Sequence, residues 1–319
     1  MISFIVIGRN EGWKLKACLD ALQNVVKEDN IVDYEIIYVD SRSSDDSVEL
    51  AKSYPNTKVF SITGECNAGV GRNIGAKESK GNVLFFLDGD MELQIGVVPN
   101  LLDHQGRLKY PFYSGLHLDK VFDTRGILKE EYLQEHPHGV KEYFQIATGG
   151  LMAIERCWWE KMSGIDTRFR CNEDYDFGLR MTEHHIKPCR QCKIWVVHNT
   201  YPHETRSNYV SSVRYTSVLF RKHWWNVEFL YKKLLPSQYT AFALLFVFMV
   251  CIFGAMAFPT WLWCLMGLLY IAILIRKAMN QHEVGISKMM WLVFKRDIVF
   301  LTSILTFWPK PIELKYEEK

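Results

Sequence analysis

The stretch NVLFFLDGDMEL, residues Asn82–Leu93, decides the fold. Its apolar run, Val83–Leu87, ends abruptly in two carboxylates, Asp88 and Asp90, one residue apart. An apolar run of this length predicts a strand that is buried on both faces, as in a parallel sheet covered by helices. The two acids would then lie at the edge of that sheet and face a cleft.

The residues before this stretch alternate between strand-like and helix-like patterns. Helical spacing at Leu15, Cys18, Leu19 and Leu22 predicts a first helix. Repeated βαβ units imply a parallel sheet that binds ligands at the carboxyl ends of its strands. Loops reading GRNEG, DSRSSDDS and DGD follow three of the strands, so we expect three acidic loops to converge on one cleft. The remaining predicted elements are strands at Ile2–Ile7, Tyr34–Val39 and Lys58–Ile62 and helices beginning near Asp45 and at Asn73–Ser79.

Composition excludes several classes of protein. The 319 residues are 48% hydrophobic and carry a formal net charge of +2 without a basic stripe, which argues against nucleic acid as the main partner. The eight cysteines are scattered, which favours reduced thiols in the cytosol. Cys189 and Cys192 have zinc-ligand spacing but lack an obvious second pair. The N-terminus lacks the features of a signal peptide, so we expect a first strand there.

A change of character marks the last third of the chain. No charged residue occurs between Leu234 and Ile275. This segment predicts a membrane hairpin at about 237–275, with a buried helix pair of a soluble domain as the alternative. Basic pairs at Lys232–Lys233 and Arg276–Lys277 would place both hairpin ends on the cytoplasmic side.

A third apolar segment at about 287–308 carries Lys295, Arg296 and Asp297 inside its run. Charges in that position favour a helix that lies in the membrane interface or packs on the hairpin over a clean span.

Asp88 and Asp90 would repel each other unless a cation lies beside them. Mg²⁺ and Mn²⁺ prefer carboxylate oxygens and keep positions open for phosphate, so this pair is a candidate site for a metal bound to a diphosphate. The alternative for an isolated Asp-Gly-Asp is an ordinary turn in which glycine adopts a positive φ.

The glycine-rich stretch CNAGVGRNIGAK places Gly69, Gly71 and Gly75 around Arg72 and opens a helix that could approach a nucleotide closely. It departs from the dinucleotide-binding fingerprint in the position of its last glycine and in following the third strand. A hydride-transferring oxidoreductase is therefore disfavoured.

Two further groups of polar residues have both a structural and a functional interpretation. Glu173 and Asp174 begin a predicted helix, where acids favourably interact with the helix dipole, but a catalytic base could lie there too. His198 ends the strand-like IWVVH and could be a core histidine or a metal ligand.

The order of the motifs VIGRNE, YVDSRSSDDS, GVGRNIGAK, LFFLDGDMEL, TGGLMAIERCWWEKMSGIDTRF, NEDYDFGLR and VVH resembles the family 2 glycosyltransferases over residues 1–230. The resemblance implies an α/β fold of the GT-A type, a mostly parallel twisted sheet flanked by helices. It divides the chain into a glycosyltransferase domain at 1–230 and membrane-associated helices at 231–319. Residues 1–100 would bind the nucleotide sugar, and residues 101–230 the acceptor.

The resemblance also implies roles on the donor side. Glu11 and Asp40 would face the nucleoside, with Asp40 on the base, and Arg72 would contact the base or close over the nucleotide. Asp88 would lie near the ribose and the metal.

Metal and acceptor roles follow from the same resemblance. Asp90 would be the direct metal ligand, with His198 joining the metal or the diphosphate. Gly149 and Gly150 would line the acceptor side. Asp174 would be the catalytic base, and Glu173 would support the acceptor.

The implied activity is transfer of a sugar from a nucleoside-diphosphate sugar, with Mn²⁺ or Mg²⁺ as cofactor, to a saccharide or lipid-linked saccharide. A single base opposite the leaving group predicts inversion. The Gln-x-x-Arg-Trp element of processive synthases is missing, so we expect single additions, at the cytoplasmic face of the plasma (inner) membrane. The alternatives are a polyprenyl-phosphate sugar synthase, whose acceptor needs no base, and a non-catalytic membrane-anchored binder of nucleotide sugars.

Overall fold

The computed structural model describes residues 1–201, 210, 212–254, 260–279 and 285–319. The chain divides into two compact units, Met1–His203 with Lys310–Lys319, and Glu204–Pro309. The expected turn of the membrane hairpin at 258–260 lies largely outside the described residues. The seven cysteines whose side chains the structure describes are free thiols.

The first unit is built on one sheet. Its described strands are β1 (Ile2–Gly8), β2 (Tyr34–Asp40), β3 (Thr57–Ile62), β4 (Val83–Asp88), β5 (Met91–Leu93), β6 (Phe112–Phe122), β7 (Leu128–Leu133), β8 (Glu142–Phe144), β9 (Met152–Glu155), β10 (Cys189–Thr200) and β11 (Tyr316–Glu318). The strand order is β11-β3-β2-β1-β4-β9-β6-β10-β5, and β7 and β8 pair with β6 and β10.

Helices cover this sheet, and acidic loops connect strands to the helices that follow them. The expected helices after β1, β2 and β3 are confirmed, and the helix expected at Glu173 is present. The described helices of this unit are α1 (Trp13–Glu28), α2 (Ser47–Lys52), α3 (Ala68–Glu78), α4 (Val98–Leu101), α5 (Arg156–Lys161) and α6 (Glu173–Thr182).

The parallel half of the sheet sets the position of the site. Strands β2, β1 and β4 run parallel, with Gly8 opposite Asp40 and Ile7 opposite Asp88. This register ends the three strands at the same edge, so their following loops lie together, as the sequence predicted. The interior residues of β4 are buried, which explains its apolar composition.

The other half of the sheet departs from the parallel pattern. Strand β9 pairs antiparallel with β4 and β6, whereas β10 pairs parallel with β6 and antiparallel with β5. The expected α/β fold class is confirmed, with a mixed sheet in place of a mostly parallel one. The strands that pair with β9 and β10 lie in distant parts of the sequence, so these pairings were not visible in local patterns.

The segment Lys310–Lys319 belongs to the first unit. Strand β11 pairs antiparallel with the edge strand β3. The Tyr316 ring packs edge-on against Phe60 at 5.9 Å, lies 5.1 Å from the Lys77 ammonium, and donates its hydroxyl to Glu78 at 2.5 Å. The added strand covers backbone groups of β3 that an open edge would leave unpaired.

We expect Tyr316→Ala to loosen this edge by about 2 kcal/mol, because it removes an aromatic pair and a hydrogen bond together. Amide hydrogen exchange in β3 should then be roughly 30-fold faster. Glu318→Ala on the same strand, where the side chain is exposed, is the matched control and should leave exchange unchanged. Equal exchange rates in both variants would contradict this role of the strand.

The second unit is helical. A π-helical turn, Leu230–Leu234, joins the short helix Val227–Phe229 to the long helix Leu235–Gly254. By length and composition, the stretch Val227–Val250 is the helix among the described residues that qualifies to cross a membrane. The described helices are α7 (Val213–His223), α8 (Val227–Phe229), α9 (Leu235–Gly254), α10 (Thr260–Met279) and α11 (Ile286–Thr306).

Several charges of the apolar segments are buried inside this helical unit. Lys277 donates to the Ser237 carbonyl at 2.7 Å, and Arg296 donates to the same carbonyl at 2.8 Å. Asp297 is fully buried beside Arg296. Helix α11 therefore packs on α9 and α10, which was one of the two placements predicted for it, and Lys277 is not a solvated flanking charge.

Candidate active site

The two acids of the Asp-Gly-Asp element lie at the carboxyl edge of the sheet. Asp88 is the last residue of β4, and Asp90 directly precedes β5. Gly89 between them does not adopt a positive φ. A glycine is favoured at position 89 because there is little room for a side chain: a Cβ would lie 3.2 Å from Glu11 Cγ and 3.3 Å from the Ile7 carbonyl oxygen. The turn is thus pressed against the loop that follows β1.

Asp90 lies between two basic side chains. Its Oδ2 is 3.5 Å from His198 Nε2 and 3.6 Å from Lys14 Nζ. Burial raises the pKa of Asp90, but the neighbouring His198 and Lys14 outweigh burial and lower it below its ordinary value. Asp90 is therefore an ionised carboxylate.

His198 is held on both sides of its ring. Its Nδ1 lies 2.5 Å from Asp119 Oδ1, and its Nε2 faces Asp90. Burial lowers the pKa of the imidazole, but hydrogen bonds to Asp119 and Asp90 outweigh it and raise the pKa to about 10. The two carboxylates on either side of the ring thus mark a position that favours positive charge.

The donor set fits a divalent metal ion. Asp90 Oδ1 is buried and has no hydrogen-bond partner among the described residues. A buried carboxylate oxygen without a partner is costly unless a cation binds it. Carboxylate oxygens suit both Mg²⁺ and Mn²⁺, and an added imidazole nitrogen is better accepted by the transition metal Mn²⁺ than by Mg²⁺.

Arg72 connects Asp88 of the Asp-Gly-Asp element to Glu173 of the second acidic motif, Glu173–Asp174. The guanidinium is 2% exposed and bonds Asp88 at 2.8 Å and Glu173 at 3.0 Å. One buried cation therefore draws the end of β4 and the start of α6 together, although they are far apart in sequence. In the structure, Arg72 thus contacts these two carboxylates. Its expected contact with the nucleotide base stays a prediction.

Asp174 binds the turn that precedes β9. Its Oδ2 accepts from the Thr148 and Gly149 amides at 3.0 and 2.8 Å, and its Oδ1 accepts from the Tyr175 amide at 2.7 Å. The side chain thus reaches out of its helix to the 148–150 turn. An ionised carboxylate has about four acceptor positions, so one remains for a ligand.

Gly150 allows the 148–150 turn to lie directly against Arg72 and Asp88. Its φ is +84°, and a Cβ would lie 2.6 Å from Arg72 Nη2 and 2.7 Å from Asp88 Oδ2. Gly149 has a φ of +68°, but its Cβ would meet only His117, at 3.4 Å.

The two glycines offer a matched pair of variants. Alanine at either position costs about 1–2 kcal/mol for its left-handed backbone. Only Gly150→Ala also displaces the Arg72–Asp88 ion pair, so we expect it to weaken donor binding by at least about tenfold more than Gly149→Ala. Titration of each purified variant with nucleotide sugar measures this, and equal affinities would contradict the packing described.

The residues expected at the nucleoside lie beside the same edge. Asp40 is 2% exposed, ends β2, and accepts from the Ser43 amide at 3.0 Å. Glu11 bonds Lys14 at 2.5 Å. Both lie at the loops that surround the Asp-Gly-Asp turn, as expected for one continuous donor site, and their contacts with a nucleoside stay predictions.

Sequence reasoning missed three residues of the site. Lys14, Asp119 and His117 all lie within or beside the metal position, and the ligand atoms of His117, Asp119 and His198 lie within 4.8 Å of one another. Burial, followed by Arg190 and His198, lowers the pKa of His117 to about 4, so it is a neutral imidazole. The alternation of His117 and Asp119 on one face of β6 was the available signal.

Comparison with known proteins identifies the family. The model of glycosyl transferase family 2 matches residues 3–167. The chain belongs to glycosyl transferase family 2. An uncharacterized glycosyltransferase of Haemophilus influenzae is 27% identical to this family 2 chain over 191 residues, which are 57% of this chain and 62% of that protein. The chain therefore spans less than two thirds of the length of that relative.

Solved structures show the same fold. The mannosyltransferase PcManGT from Pyrobaculum calidifontis, in complex with GDP-Man and Mn²⁺, has a TM-score of 0.57 and 15% identity, covering 94% of this chain and 86% of that chain. GalNAc-T7 with UDP, GalNAc and Mn²⁺ has a TM-score of 0.57 and 20% identity, covering 75% of this chain and 50% of that chain. The GT-A fold expected for this family 2 chain is confirmed.

Proposed function

We propose that the protein is a metal-dependent glycosyltransferase that moves a sugar from a nucleoside-diphosphate sugar to a saccharide or lipid-linked saccharide, one sugar at a time and with inversion. One observation supports this most strongly. Arg72 bonds Asp88 of the donor motif and Glu173 of the second acidic motif at the same time. The residues proposed to bind the donor and to accept the proton would therefore share one cleft, which a simple binder does not require.

The donor side would be held by residues of the three convergent loops. Asp40 and Glu11 would bind the nucleoside. Asp90, Asp88 and His198 would hold Mn²⁺ or Mg²⁺, which when bound neutralises charge on a departing diphosphate. Lys14 lies 3.6 Å from Asp90 and adds positive charge beside the same position.

Asp174 would act as the base. Three backbone amides fix its two oxygens, so the carboxylate is oriented and keeps one open acceptor position. An acceptor hydroxyl that donates to this position would give up its proton as its oxygen attacks the anomeric carbon. A single base opposite the leaving group gives attack in line and inversion. Gly149 and Gly150 would line the acceptor side.

We further propose that the protein acts at the cytoplasmic face of the plasma (inner) membrane, with residues 1–230 as the glycosyltransferase domain. The apolar stretch Val227–Val250 supports membrane association, and only 22% of its most apolar window is buried within the structure. The basic pair Lys232–Lys233 lies near the beginning of this stretch and supports a cytoplasmic location for that end of the helix.

The test uses the full chain purified in detergent. It is incubated with a panel of nucleotide sugars, including GDP-mannose and UDP-N-acetylgalactosamine, with Mn²⁺ or Mg²⁺, and with a membrane lipid extract as acceptor. We expect metal-dependent release of nucleoside diphosphate and a product whose anomeric proton coupling shows inversion. Binding without any release would instead support the non-catalytic binder, and retention of configuration would contradict the proposed mechanism.

A further inference from the structure

Asp119 and Asp90 lie on opposite sides of the His198 ring, each beside one ring nitrogen. Asp119 Oδ1 lies 2.5 Å from Nδ1, and Asp90 Oδ2 lies 3.5 Å from Nε2. The Asp119 and His198 side chains are 15% and 20% exposed. An ionised carboxylate can only accept, so the hydrogen on Nδ1 is donated to Asp119. The ring nitrogen that remains for a metal is therefore Nε2, on the side of Asp90.

The backbone of two strands fixes this arrangement. Asp119 lies directly opposite His198 in the parallel pairing of β6 and β10. Strand β10 in turn pairs with β5, so that the Asn199 amide donates to the Asp90 carbonyl at 2.8 Å. Strand register, and not a flexible loop, thus determines the distance between the three side chains.

We propose that Asp119 is a positioning residue that fixes His198 with Nε2 toward Asp90 and thereby gives the site its preference for Mn²⁺ over Mg²⁺. This inference rests on the proposed function, which places a metal at Asp90 and His198. A carboxylate on the second nitrogen of a ligating histidine orients the ring and increases its basicity. Mg²⁺ prefers oxygen ligands and retains waters, so a nitrogen ligand disfavours Mg²⁺ relative to the transition metal Mn²⁺.

Asp119 acts through His198 and is not itself a ligand. Its Oδ1 accepts from Nδ1 of His198, and a metal on that oxygen would have to break the hydrogen bond that orients the ring. Among the described residues, Asp90 Oδ1 and His117 Nε2 are both buried without a hydrogen-bond partner, and Asp90 also lies 3.5 Å from Nε2 of His198. The site of the metal is therefore on the Asp90 side of the ring, with a stoichiometry of one.

The test measures binding of the metals alone to the full chain in detergent. Free Mn²⁺ is followed by electron paramagnetic resonance, and Mg²⁺ is measured by its competition. We expect Asp119→Ala to weaken Mn²⁺ binding by about 10–100-fold and Mg²⁺ binding by much less. Asp119→Asn should recover part of the Mn²⁺ affinity, because its amide oxygen can still accept from Nδ1.

Glu131→Gln is the matched control. Glu131 lies on the neighbouring strand β7, is 47% exposed and pairs with Lys120 at 3.7 Å, so the variant removes one negative charge near β6 without touching His198. Its ratio of Mn²⁺ to Mg²⁺ affinity should equal that of the native chain.

The outcomes separate this inference from the proposed function. Native-like Mn²⁺ affinity in Asp119→Ala, an equal loss of both metals, or two Mn²⁺ ions per native chain would each overturn the positioning role and leave the donor site standing. A native chain that binds neither Mn²⁺ nor any nucleotide sugar would overturn both.

Discussion

Asp90→Asn is expected to reduce nucleotide-sugar turnover by about a thousandfold, near the upper end of what loss of one charge-stabilising group costs an enzyme. Asparagine has nearly the same shape as aspartate, but it removes the negative charge that lies between His198 and Lys14. It also replaces one of the two oxygens that could bind a cation. The measurement is release of nucleoside diphosphate at saturating Mn²⁺.

The control for this prediction is Glu28→Gln, which removes a carboxylate that is 53% exposed at the end of α1, outside the three acidic loops. Its turnover should match that of the native chain. Turnover in Asp90→Asn within tenfold of native would contradict the assignment of Asp90 as the principal metal ligand.

Asp174→Asn is expected to reduce transfer to the acceptor by about 10²–10⁴-fold, the usual contribution of a general base. The amide oxygen of asparagine can still accept from the Thr148 and Gly149 amides, so the 148–150 turn should stay in place. The amide cannot take a proton from the acceptor hydroxyl. The measurement is the rate at which labelled sugar enters the lipid-linked product.

Donor affinity in the same variant is the internal control, because Asp174 contacts the turn and not the donor acids. We expect binding of the nucleotide sugar to change by less than about threefold. Full transfer activity in Asp174→Asn would indicate an acceptor that is already ionised, as in a polyprenyl-phosphate sugar synthase, and would contradict the role of Asp174 as a base.

Local patterns in the sequence were sufficient for the parallel half of the fold. The run Val83–Leu87 is buried on both faces and reads as a strand, and the acids that follow it share an edge with Gly8 and Asp40 because all three strands are parallel. Sequence patterns alone singled out Glu173 and His198 but could not distinguish a functional role from helix capping or core packing, and the resemblance to known glycosyltransferases supplied the expected roles.

The remaining features depend on contacts between distant parts of the chain. Asp119 meets His198 across 79 positions through the pairing of β6 and β10, and no periodic pattern reports which strands become neighbours. The same holds for Arg72, which bonds Glu173 across 101 positions. Buried charges such as Lys277 were assigned to the membrane flank because hydropathy does not show the partners that satisfy them.

One metal ion is proposed to join this chain to its nucleotide donor at Asp90 and His198. Pulsed electron paramagnetic resonance of Mn²⁺ bound to the full chain with GDP or UDP tests it most directly, because the spectrum reports nuclei coupled to the metal. We expect coupling to ³¹P of the diphosphate and to ¹⁴N of an imidazole, with the ¹⁴N coupling lost in His198→Gln. Coupling to ³¹P without ¹⁴N in the native chain, or ¹⁴N coupling that survives in His198→Gln, would contradict this account of the site.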